Sequence, residues 1–418
     1  MRSPRSVIVA AVICNGLEFF DFVAYAFFAP IIGKVFFPAA SQNLGLLLSV
    51  GVFGVGFIAR PVGSVVIGRY ADRAGRRPAL LLSAMLMTLG TLGLGLTPGY
   101  ASIGLIAPVL ITMFRLVQGF ALGGETGPST AFLLEVAPKR QRAAYVAFLM
   151  GSQGLASAAA GGLGLALSLS LSNEQMLAWG WRVPFVISTL LVPVALFLRF
   201  RMPETLKTKT SAELRLAWRS RPVVLGILVI AGGTVSTYVG SYMTTYGTTV
   251  LHLPPANGLQ AAITIGLTTF GGALIGGYLA DRFGRWPVMF WPRLITAIVS
   301  LPVFAWLTAH PIPPTLQGIS ALLAFLTAVT AGGVLTTICE LFPAERRAEA
   351  LALIYSVGVS LFGGTVQFIV TWLITVTGNP MAPAWCIAIT SSTAVIATLL
   401  LPETGNKKRS DGPLTGSN

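Results

Sequence analysis

Long apolar runs separated by short polar segments make up most of this chain. A helix that crosses a membrane needs about 20 consecutive, mostly apolar residues. Breaks at charged residues, Pro and Gly predict twelve such spans, at 7–34, 44–71, 77–97, 101–135, 142–171, 181–201, 221–250, 257–281, 286–309, 314–341, 348–377 and 381–402. The first run has no small-residue cleavage site and is too long for the core of a signal peptide, so it also predicts a spanning helix. The pattern therefore predicts an all-α, polytopic membrane protein.

The composition supports this prediction and excludes several classes of protein. Of 418 residues, 54% are hydrophobic and 10% are charged, whereas a soluble globular chain is about 25% charged. The formal net charge of +14 could suggest a nucleic-acid partner, but the basic residues lie in the short gaps between apolar runs. A lipid bilayer is therefore the expected surrounding, and no nucleic-acid partner is expected.

The distribution of Lys and Arg predicts the orientation of the spans. Basic residues concentrate in the gaps on the side that both termini share, while Lys34 and Arg182 lie on the opposite side. Because cytoplasmic loops carry an excess of basic residues, both termini are predicted to be cytoplasmic.

The two halves of the chain repeat each other. Segment 68–77 recurs as 277–286, the pair Glu135 and Arg142 recurs as Glu340 and Arg347, and 203–205 recurs as 402–404. Three landmarks in the same order indicate a parallel duplication of six spans. We therefore expect two pseudo-symmetric six-helix bundles, residues 1–201 and 221–402, with a cytoplasmic linker at 202–220 and a cytoplasmic tail at 403–418.

Ionisable residues inside spans are costly, so those present should face a cavity or a partner. Six lie well inside predicted spans: Glu18, Asp21, Arg60, Arg115, Glu125 and Arg293. Glu18 and Asp21 are three apart and share one face of the first span, with Tyr25 one further turn along. Two carboxyls close together in a low dielectric do not both ionise easily, so one should take up a proton near neutral pH. The alternative is that one carboxylate pairs with Arg60 or Arg115 and only holds the bundle together.

Arg60 lies near the middle of span two, and Arg115 lies at a similar depth in span four. Gly56 and Gly63 flank Arg60 at helical spacing and should leave room for a ligand. A guanidinium binds a carboxylate with two hydrogen bonds and stays charged, which makes Arg60 the expected anchor of an anionic substrate. The alternative for Arg60 is a structural pair with Asp21.

Three other charges near the spans receive less specific interpretations. Glu125 lies ten residues beyond Arg115 and is either an inner proton exit or a gate residue that meets the basic loops. Arg182 lies at the outer edge of span six, where interfacial anchoring is the simplest interpretation. Arg293, in span nine, is expected to be structural and near the inner edge.

Span seven is rich in hydroxyl groups, which are atypical of a lipid-facing surface. Its polar residues are Thr234, Ser236, Thr237, Tyr238, Ser241, Tyr242, Thr244, Thr245, Tyr246, Thr248 and Thr249. Tyr238, Tyr242, Thr245 and Thr249 follow helical spacing and define one stripe. We expect this stripe to line a cavity suited to a polyoxygenated carboxylate, and the alternative is hydrogen bonding between helices alone.

The sequence offers no set of residues for catalysis or for a cofactor. Its three cysteines form no CxxC pair, and both histidines fall in predicted loops. No nucleophile–base arrangement and no Gly-x-x-x-x-Gly-Lys loop for a nucleotide are present. We therefore predict that the protein is not an enzyme, that it holds no cofactor, and that a proton gradient supplies its energy.

Several motifs resemble the major facilitator superfamily. The Gly-x-x-x-Asp-Arg-x-Gly-Arg-Arg loop at 68–77, echoed at 277–286, is the most specific of them. Within that superfamily, further segments resemble the metabolite:proton symporter family, and they lie at 17–22, 59–63, 115–119, 123–127 and 179–185.

The resemblance implies a bacterial inner-membrane carrier in which two six-helix bundles rock around a central site, and a monomer is sufficient for this. Carriers of this type take up carboxylates such as citrate, 2-oxoglutarate and shikimate, or zwitterions such as proline and betaine. It implies a role in proton movement or substrate contact for Arg115, and a possible substrate contact for Arg182. We expect proton-coupled uptake of a small organic anion, foremost a di- or tricarboxylate such as citrate. The alternatives are symport of a zwitterion, or efflux or uniport on the same fold.

Charges in the predicted cytoplasmic loops are mirrored between the halves. They are Asp72, Arg73, Arg76, Glu135 and Arg142 in the first half and Asp281, Arg282, Arg285, Glu340 and Arg347 in the second. We interpret them as a salt-bridge lock between the bundles that holds the outward-open state and breaks when the protein opens inward.

Overall fold

The protein is described by a computed structural model, which covers residues 4–38, 42–74, 76–125, 129–130, 133–134, 136–138, 140–200, 220–342 and 347–404. Over these residues the chain forms twelve long helices and no β-strand. They are α1 Pro4–Phe27, α2 Gln42–Ala74, α3 Arg76–Leu96, α4 Ile106–Gly123, α5 Arg142–Ser170, α6 Val183–Phe200, α7 Ser220–Thr249, α8 Pro255–Phe283, α9 Arg285–Ala309, α10 Pro313–Glu340, α11 and α12 Ala382–Leu399. Helix α11 consists of Arg347–Gly358, a π-helical turn at Val359–Gly363, and Gly364–Thr377.

Eleven of these helices are long and apolar enough to cross a membrane within the described part of the chain, and the segment Gly180–Pro193, which leads into α6, is a shorter apolar helix. The side chains at the lipid-facing positions are large and apolar, for example Ile298 and Leu190, which are 64% and 70% exposed. The prediction of an all-α protein with twelve spans is confirmed.

Two predicted spans are each divided in the structure. The first ends at Phe27 and continues as a short helix, Ala29–Phe36, with Pro30 in its first turn. The fourth begins at Ile106 because the short helix Tyr100–Ile103 ends at Gly104, whose φ of 59° is left-handed. Glycine adopts that conformation at little cost, so the chain turns there.

Each half packs mainly on itself, and helices α2, α5, α8 and α11 make the principal contacts between the halves. The α5–α8 seam is made of small residues: a Cβ built on Gly154 would lie 2.6 Å from the Gly266 oxygen. Helices α2 and α11 approach as closely at Gly54 and Gly364. Small residues let helix backbones touch in a membrane.

The predicted domain boundaries remain predictions, because residues 202–219 of the predicted linker and residues 405–418 of the predicted tail lie outside the described residues. Glu403, at the start of the predicted tail, is part of the packed structure. Its carboxylate accepts hydrogen bonds from the backbone nitrogens of Arg285 (3.0 Å) and Trp286 (2.7 Å) at the start of α9. A carboxylate at a helix N-terminus accepts hydrogen bonds from N–H groups that have no partner within the helix, and its charge interacts favourably with the helix dipole.

The glycines flanking Arg60 pack against α4, which corrects the expectation that they leave room for a ligand. A Cβ on Gly63 would collide with the Phe120 carbonyl oxygen, and one on Gly56 would lie 3.0 Å from the Arg115 oxygen. From the other side, a Cβ on Gly119 would collide with the Gly56 oxygen. The three glycines form a seam in which α2 and α4 are in backbone contact.

Candidate functional site

Two adjoining cavities lie between the halves of the molecule, and we call them together the central cavity. Their volumes are about 40 and 60 Å³, which is room for a few water molecules. Both are lined by Phe19, Met150, Gln153, Thr237 and Thr327. Helices α1 and α5 thus face α7 and α10 across the centre of the bundle.

Helix α7 lines this space with a different stripe from the predicted one. Thr237 and Ser241 face the central cavity, and Thr244 and Thr248 face a larger space beyond it. Of the predicted stripe, Tyr238 reaches the central cavity. The Tyr242 hydroxyl instead accepts a hydrogen bond from Thr371 of α11, at 3.0 Å.

Two other residues of the predicted stripe have different surroundings. Thr245 is 1% exposed and lines none of the described cavities, whereas Thr249 lines the larger space. The lining face is displaced from the predicted stripe by about one residue, or roughly 100° around the helix. The geometry agrees with the prediction that α7 supplies hydroxyls to a cavity, but only Tyr238 and Thr249 of the predicted stripe line one.

The larger space, which we call the vestibule, measures about 420 Å³ and lies in the volume range of small-molecule sites. It is at the end of the bundle opposite the predicted cytoplasmic loops, between α1 and α5 on one side and α7 and α8 on the other. Lys34, Ser168 and Asn173 contribute polar groups to its wall. The vestibule is therefore large enough for a metabolite, and the central cavity is contracted.

Asp21 is buried in the first half and holds a chain of hydrogen bonds. Its Oδ2 accepts from Gln118 Nε2 at 2.7 Å and from the Thr91 hydroxyl. Gln118 Oε1 in turn accepts from Arg115 Nη1 at 2.8 Å. Asp21 Oδ1 is buried and has no hydrogen-bond partner among the described residues. Gln118 thus stands between the carboxylate and the guanidinium, and Oδ1 is the atom able to take up a proton.

Glu18 and Asp21 share a small crevice between α1, α3 and α6. The crevice has a volume of about 40 Å³ and includes Thr88 and Thr91 of α3 and Ser188 of α6 in its lining. The lining of this crevice has no residue in common with that of the central cavity. The carboxyls therefore have their own water-sized space within the first half.

Arg115 and Arg60 lie among aromatic rings. The Arg115 guanidinium is fully buried and lies 4.4 Å from the Tyr25 ring centroid and 4.7 Å from that of Phe22. Arg60 lies 4.7 Å from the same Phe22 ring, and it hydrogen-bonds to Tyr238. Neither arginine lines the central cavity, so Tyr238 separates Arg60 from it. Contact of Arg60, Arg115 or Tyr25 with a substrate stays a prediction.

Arg293 lies in the wall of the central cavity, although the sequence indicated a structural residue near the inner edge. It is 3% exposed and shares the wall with Tyr238, Thr330 and Tyr355. Apart from the charge itself, nothing in the sequence around Arg293 indicated that it would line the cavity.

Arg182 binds the ends of neighbouring helices. Its guanidinium donates to the carbonyl oxygens of Gly95 (3.1 Å), Thr97 (3.0 Å) and Ala178 (2.7 Å), and it lies over the Trp181 ring. These bonds fix the outer end of α3 to the start of α6. Glu125 is buried just after α4 ends at Gly123.

A network of charges joins the halves at the predicted cytoplasmic end. Asp281 of α8 accepts hydrogen bonds from the backbone nitrogens of Ala143 (3.0 Å) and Ala144 (2.8 Å), at the start of α5. Asp281 also pairs with Arg285 at 3.1 Å. Glu340 of α10 lies 3.7 Å from Arg142 of α5 and 3.6 Å from Arg285.

The other predicted lock residues are not part of this described network. Arg282 is exposed and donates to the Tyr278 hydroxyl at 3.0 Å. The side chains of Asp72, Arg73, Arg76, Glu135 and Arg347 lie outside the described residues. Four of the predicted residues, Arg142, Asp281, Arg285 and Glu340, are thus brought together.

The sequence-family model that describes the Major Facilitator Superfamily matches residues 11–309 and 267–416 of this chain. A citrate-proton symporter of Salmonella typhi is 35% identical over 396 residues, 93% of this chain and 91% of that protein. An alpha-ketoglutarate permease of Escherichia coli is 32% identical over 96% of this chain and 94% of that protein. A proline/betaine transporter of Salmonella typhimurium is 29% identical over 99% of this chain and 85% of that protein.

Among solved structures, the xylose transporter XylE of E. coli, in a partially occluded inward-open conformation, matches with a TM-score of 0.74. The match covers 97% of this chain and 99% of that chain at 18% identity, so it concerns the fold alone.

The chain belongs to the major facilitator superfamily. The resemblance to metabolite:proton carriers is confirmed by these relatives, which are transporters and not enzymes. The protein is therefore a multi-pass transporter of the bacterial inner membrane.

Proposed function

We propose that the protein takes up a citrate-like di- or tricarboxylate together with protons, by alternating access. The buried chain from Asp21 through Gln118 to Arg115 is the observation that carries this proposal. A carboxyl that can gain and lose a proton beside a fixed positive charge is what coupling to a proton gradient needs. The citrate-proton symporters among the relatives support the same substrate class.

The proton pathway in this proposal runs through the first half of the molecule. Asp21 binds the proton at Oδ1, from water in the crevice that it shares with Glu18. Arg115 stabilises the charged form, and loss of that charge on protonation alters the bond network of Gln118 and Thr91. Glu125, at the far end of α4, is the proposed exit toward the cytoplasm.

The substrate pathway lies between the halves. Lys34 gives the vestibule a positive charge, which attracts an anion from the outer side. From there the substrate enters the central cavity, which must widen to hold it. The outer side of the cavity then closes behind the substrate. Because the basic loops define the cytoplasmic side, we place both termini there.

Transport into proteoliposomes tests this proposal. With an inward proton gradient we expect accumulation of citrate, and collapse of the gradient by a protonophore should stop accumulation while exchange of citrate for citrate persists. A panel with 2-oxoglutarate, proline and betaine establishes the substrate class. Accumulation that is indifferent to the protonophore would contradict proton coupling.

Symport of a zwitterion is the second candidate function. Phe19, Tyr238 and Tyr355 contribute aromatic rings to the central cavity, and such rings attract a quaternary ammonium group. Preferential uptake of betaine over citrate in the same panel would favour this candidate.

For the lock we propose that Asp281 holds the cytoplasmic end closed. Asp281→Asn removes the charge that faces the α5 N-terminus and Arg285. Because a negative charge at a partly buried helix N-terminus contributes up to about 2 kcal/mol, its loss should weaken the closed state by about 1–2 kcal/mol, a factor of roughly 5–30 in the population ratio. In a background without native cysteines, a cysteine introduced at Ala144 should react faster with maleimide from the cytoplasmic side. Glu174→Gln, at the opposite end, is the control, and equal labelling in both variants would mean that the network is only structural.

A further inference from the structure

Arg293 is a buried cation in the wall of the central cavity, and the proton pathway does not use it. Its guanidinium lies between α7 and α10, where Nη1 donates to the Gly232 carbonyl oxygen at 2.9 Å and to the Ser236 hydroxyl at 3.3 Å. Nη2 donates to the Thr330 hydroxyl at 2.9 Å. These three bonds use three of the five N–H donors of an arginine, so two donors are left for a ligand.

The charge of Arg293 has no counterion in the described part of the molecule. All its hydrogen-bond partners there are neutral, and no described carboxylate lies within salt-bridge distance of it. Keeping a cation 3% exposed in the membrane interior is costly unless an anion compensates it. An anionic group that enters the cavity would supply that compensation.

Hydroxyl groups on α10 complete the same wall. Ser320 and Thr327 are 3% and 8% exposed and line the central cavity. Their oxygens are buried without a hydrogen-bond partner among the described residues. Because these residues are seven apart, they lie two turns apart on one face of α10. Thr327 also lines the part of the cavity that contains Arg293, so an unpartnered hydroxyl and a cation without a counterion share one space.

We propose that Arg293 is the anchor for a carboxylate group of the substrate, with the Thr327 hydroxyl as a second contact. This inference rests on the proposed transport of an organic anion, and it moves the anion site to the second half of the molecule. Arg60, the residue that the sequence favoured, lies behind Tyr238. The first half then handles the proton and the second half holds the substrate charge.

Binding of citrate to the purified, full-length protein, measured by titration calorimetry, tests the inference. Arg293→Gln should lower the affinity for citrate roughly ten- to hundredfold, because a charge-assisted, forked hydrogen bond is lost. Arg293→Lys keeps the charge without the fork and should lie between Arg293→Gln and the parent. Arg221→Gln, at an exposed arginine in the first turn of α7, is the matched control and should bind as the parent does.

A second pair of variants keeps the test independent of the folding of Arg293→Gln. Thr327→Val preserves the shape and removes the hydroxyl, and it should lower affinity roughly three- to tenfold. Thr393→Val, at a half-buried position on α12 that lines neither part of the central cavity, is its control. Parent-like affinity in both Arg293→Lys and Thr327→Val overturns the anchor while leaving the proposed function intact. Absence of carboxylate binding by the parent overturns both proposals.

Discussion

Asp21→Asn should abolish proton-driven accumulation of substrate and leave exchange of substrate for substrate in place. Asparagine keeps an oxygen that accepts the bonds from Gln118 and Thr91, but it cannot release a proton. One proton that crosses a potential of about 100 mV supplies about 2.3 kcal/mol, which corresponds to roughly a fiftyfold concentration ratio. The variant should lose that ratio, because the neutral amide of asparagine imitates a carboxyl that stays protonated.

The measurement is uptake into proteoliposomes with and without a proton gradient, beside counterflow of labelled substrate in the absence of a gradient. Glu174→Gln makes a matched change at an exposed carboxyl outside the crevice, and it should accumulate substrate as the parent does. Normal accumulation in Asp21→Asn would move the coupling role to Glu18 or Glu125. Loss of counterflow as well would mean that Asp21 is needed for the conformational change itself.

Gly119→Ala should destabilise the first half severely. Its methyl group would occupy the position of the Gly56 carbonyl oxygen, and the atom it meets is backbone, which cannot rotate away. Overpacking of this kind costs about 1–3 kcal/mol, or more when two helix backbones must separate. The separation would also displace Arg60 and Arg115, which lie on either side of this seam.

The control is Gly162→Ala, in α5, where a built Cβ has no atom within 4 Å. Thermal unfolding in detergent, followed by the recovery of monodisperse protein, should show a lower midpoint for Gly119→Ala than for Gly162→Ala. If the two variants unfold at the same temperature, the backbone contact between α2 and α4 is looser than the structure has it.

The sequence was sufficient for the fold because a bilayer imposes one simple rule on the chain. Each span must be long, apolar and helical, so counting apolar runs was enough to obtain twelve helices. The ends were less certain: Gly104 and Phe28 divide runs that remain apolar throughout, and hydropathy alone does not register such breaks.

Because charged residues are rare inside membrane spans, the sequence indicated Asp21 and Arg115 as candidate site residues. It did not indicate how the two side chains are arranged. Gln118, which links them, is 97 residues from Asp21 along the chain, and one sequence does not say which helices become neighbours. For α7, polar residues occur on every face of the helix, so periodicity could not select the face that lines the cavity. Gly56 and Gly63 illustrate the same limit, since small residues suit a ligand and a neighbouring helix equally well.

The long side chain of Arg293 also made its place in the site hard to predict from the sequence. Its Cα lies eight residues from the start of α9, about 12 Å along the helix, a depth that the sequence interpretation took as marginal. The guanidinium reaches away from α9 to hydrogen-bond partners on α7 and α10. The position of a residue on its own helix therefore does not by itself say where its charge is placed.

The separate crevice that holds Glu18 and Asp21 has a consequence for inhibition of the carrier. Since no residue of its lining belongs to the central cavity, a compound that widened this water-sized crevice and occupied it would leave the proposed substrate site vacant. Such a compound would arrest the carrier by fixing the state of its carboxyls, and added substrate would not displace it. Inhibition would be noncompetitive with substrate, and its strength would depend on the external pH. Inhibition by a citrate mimic would instead be relieved by added substrate at every pH.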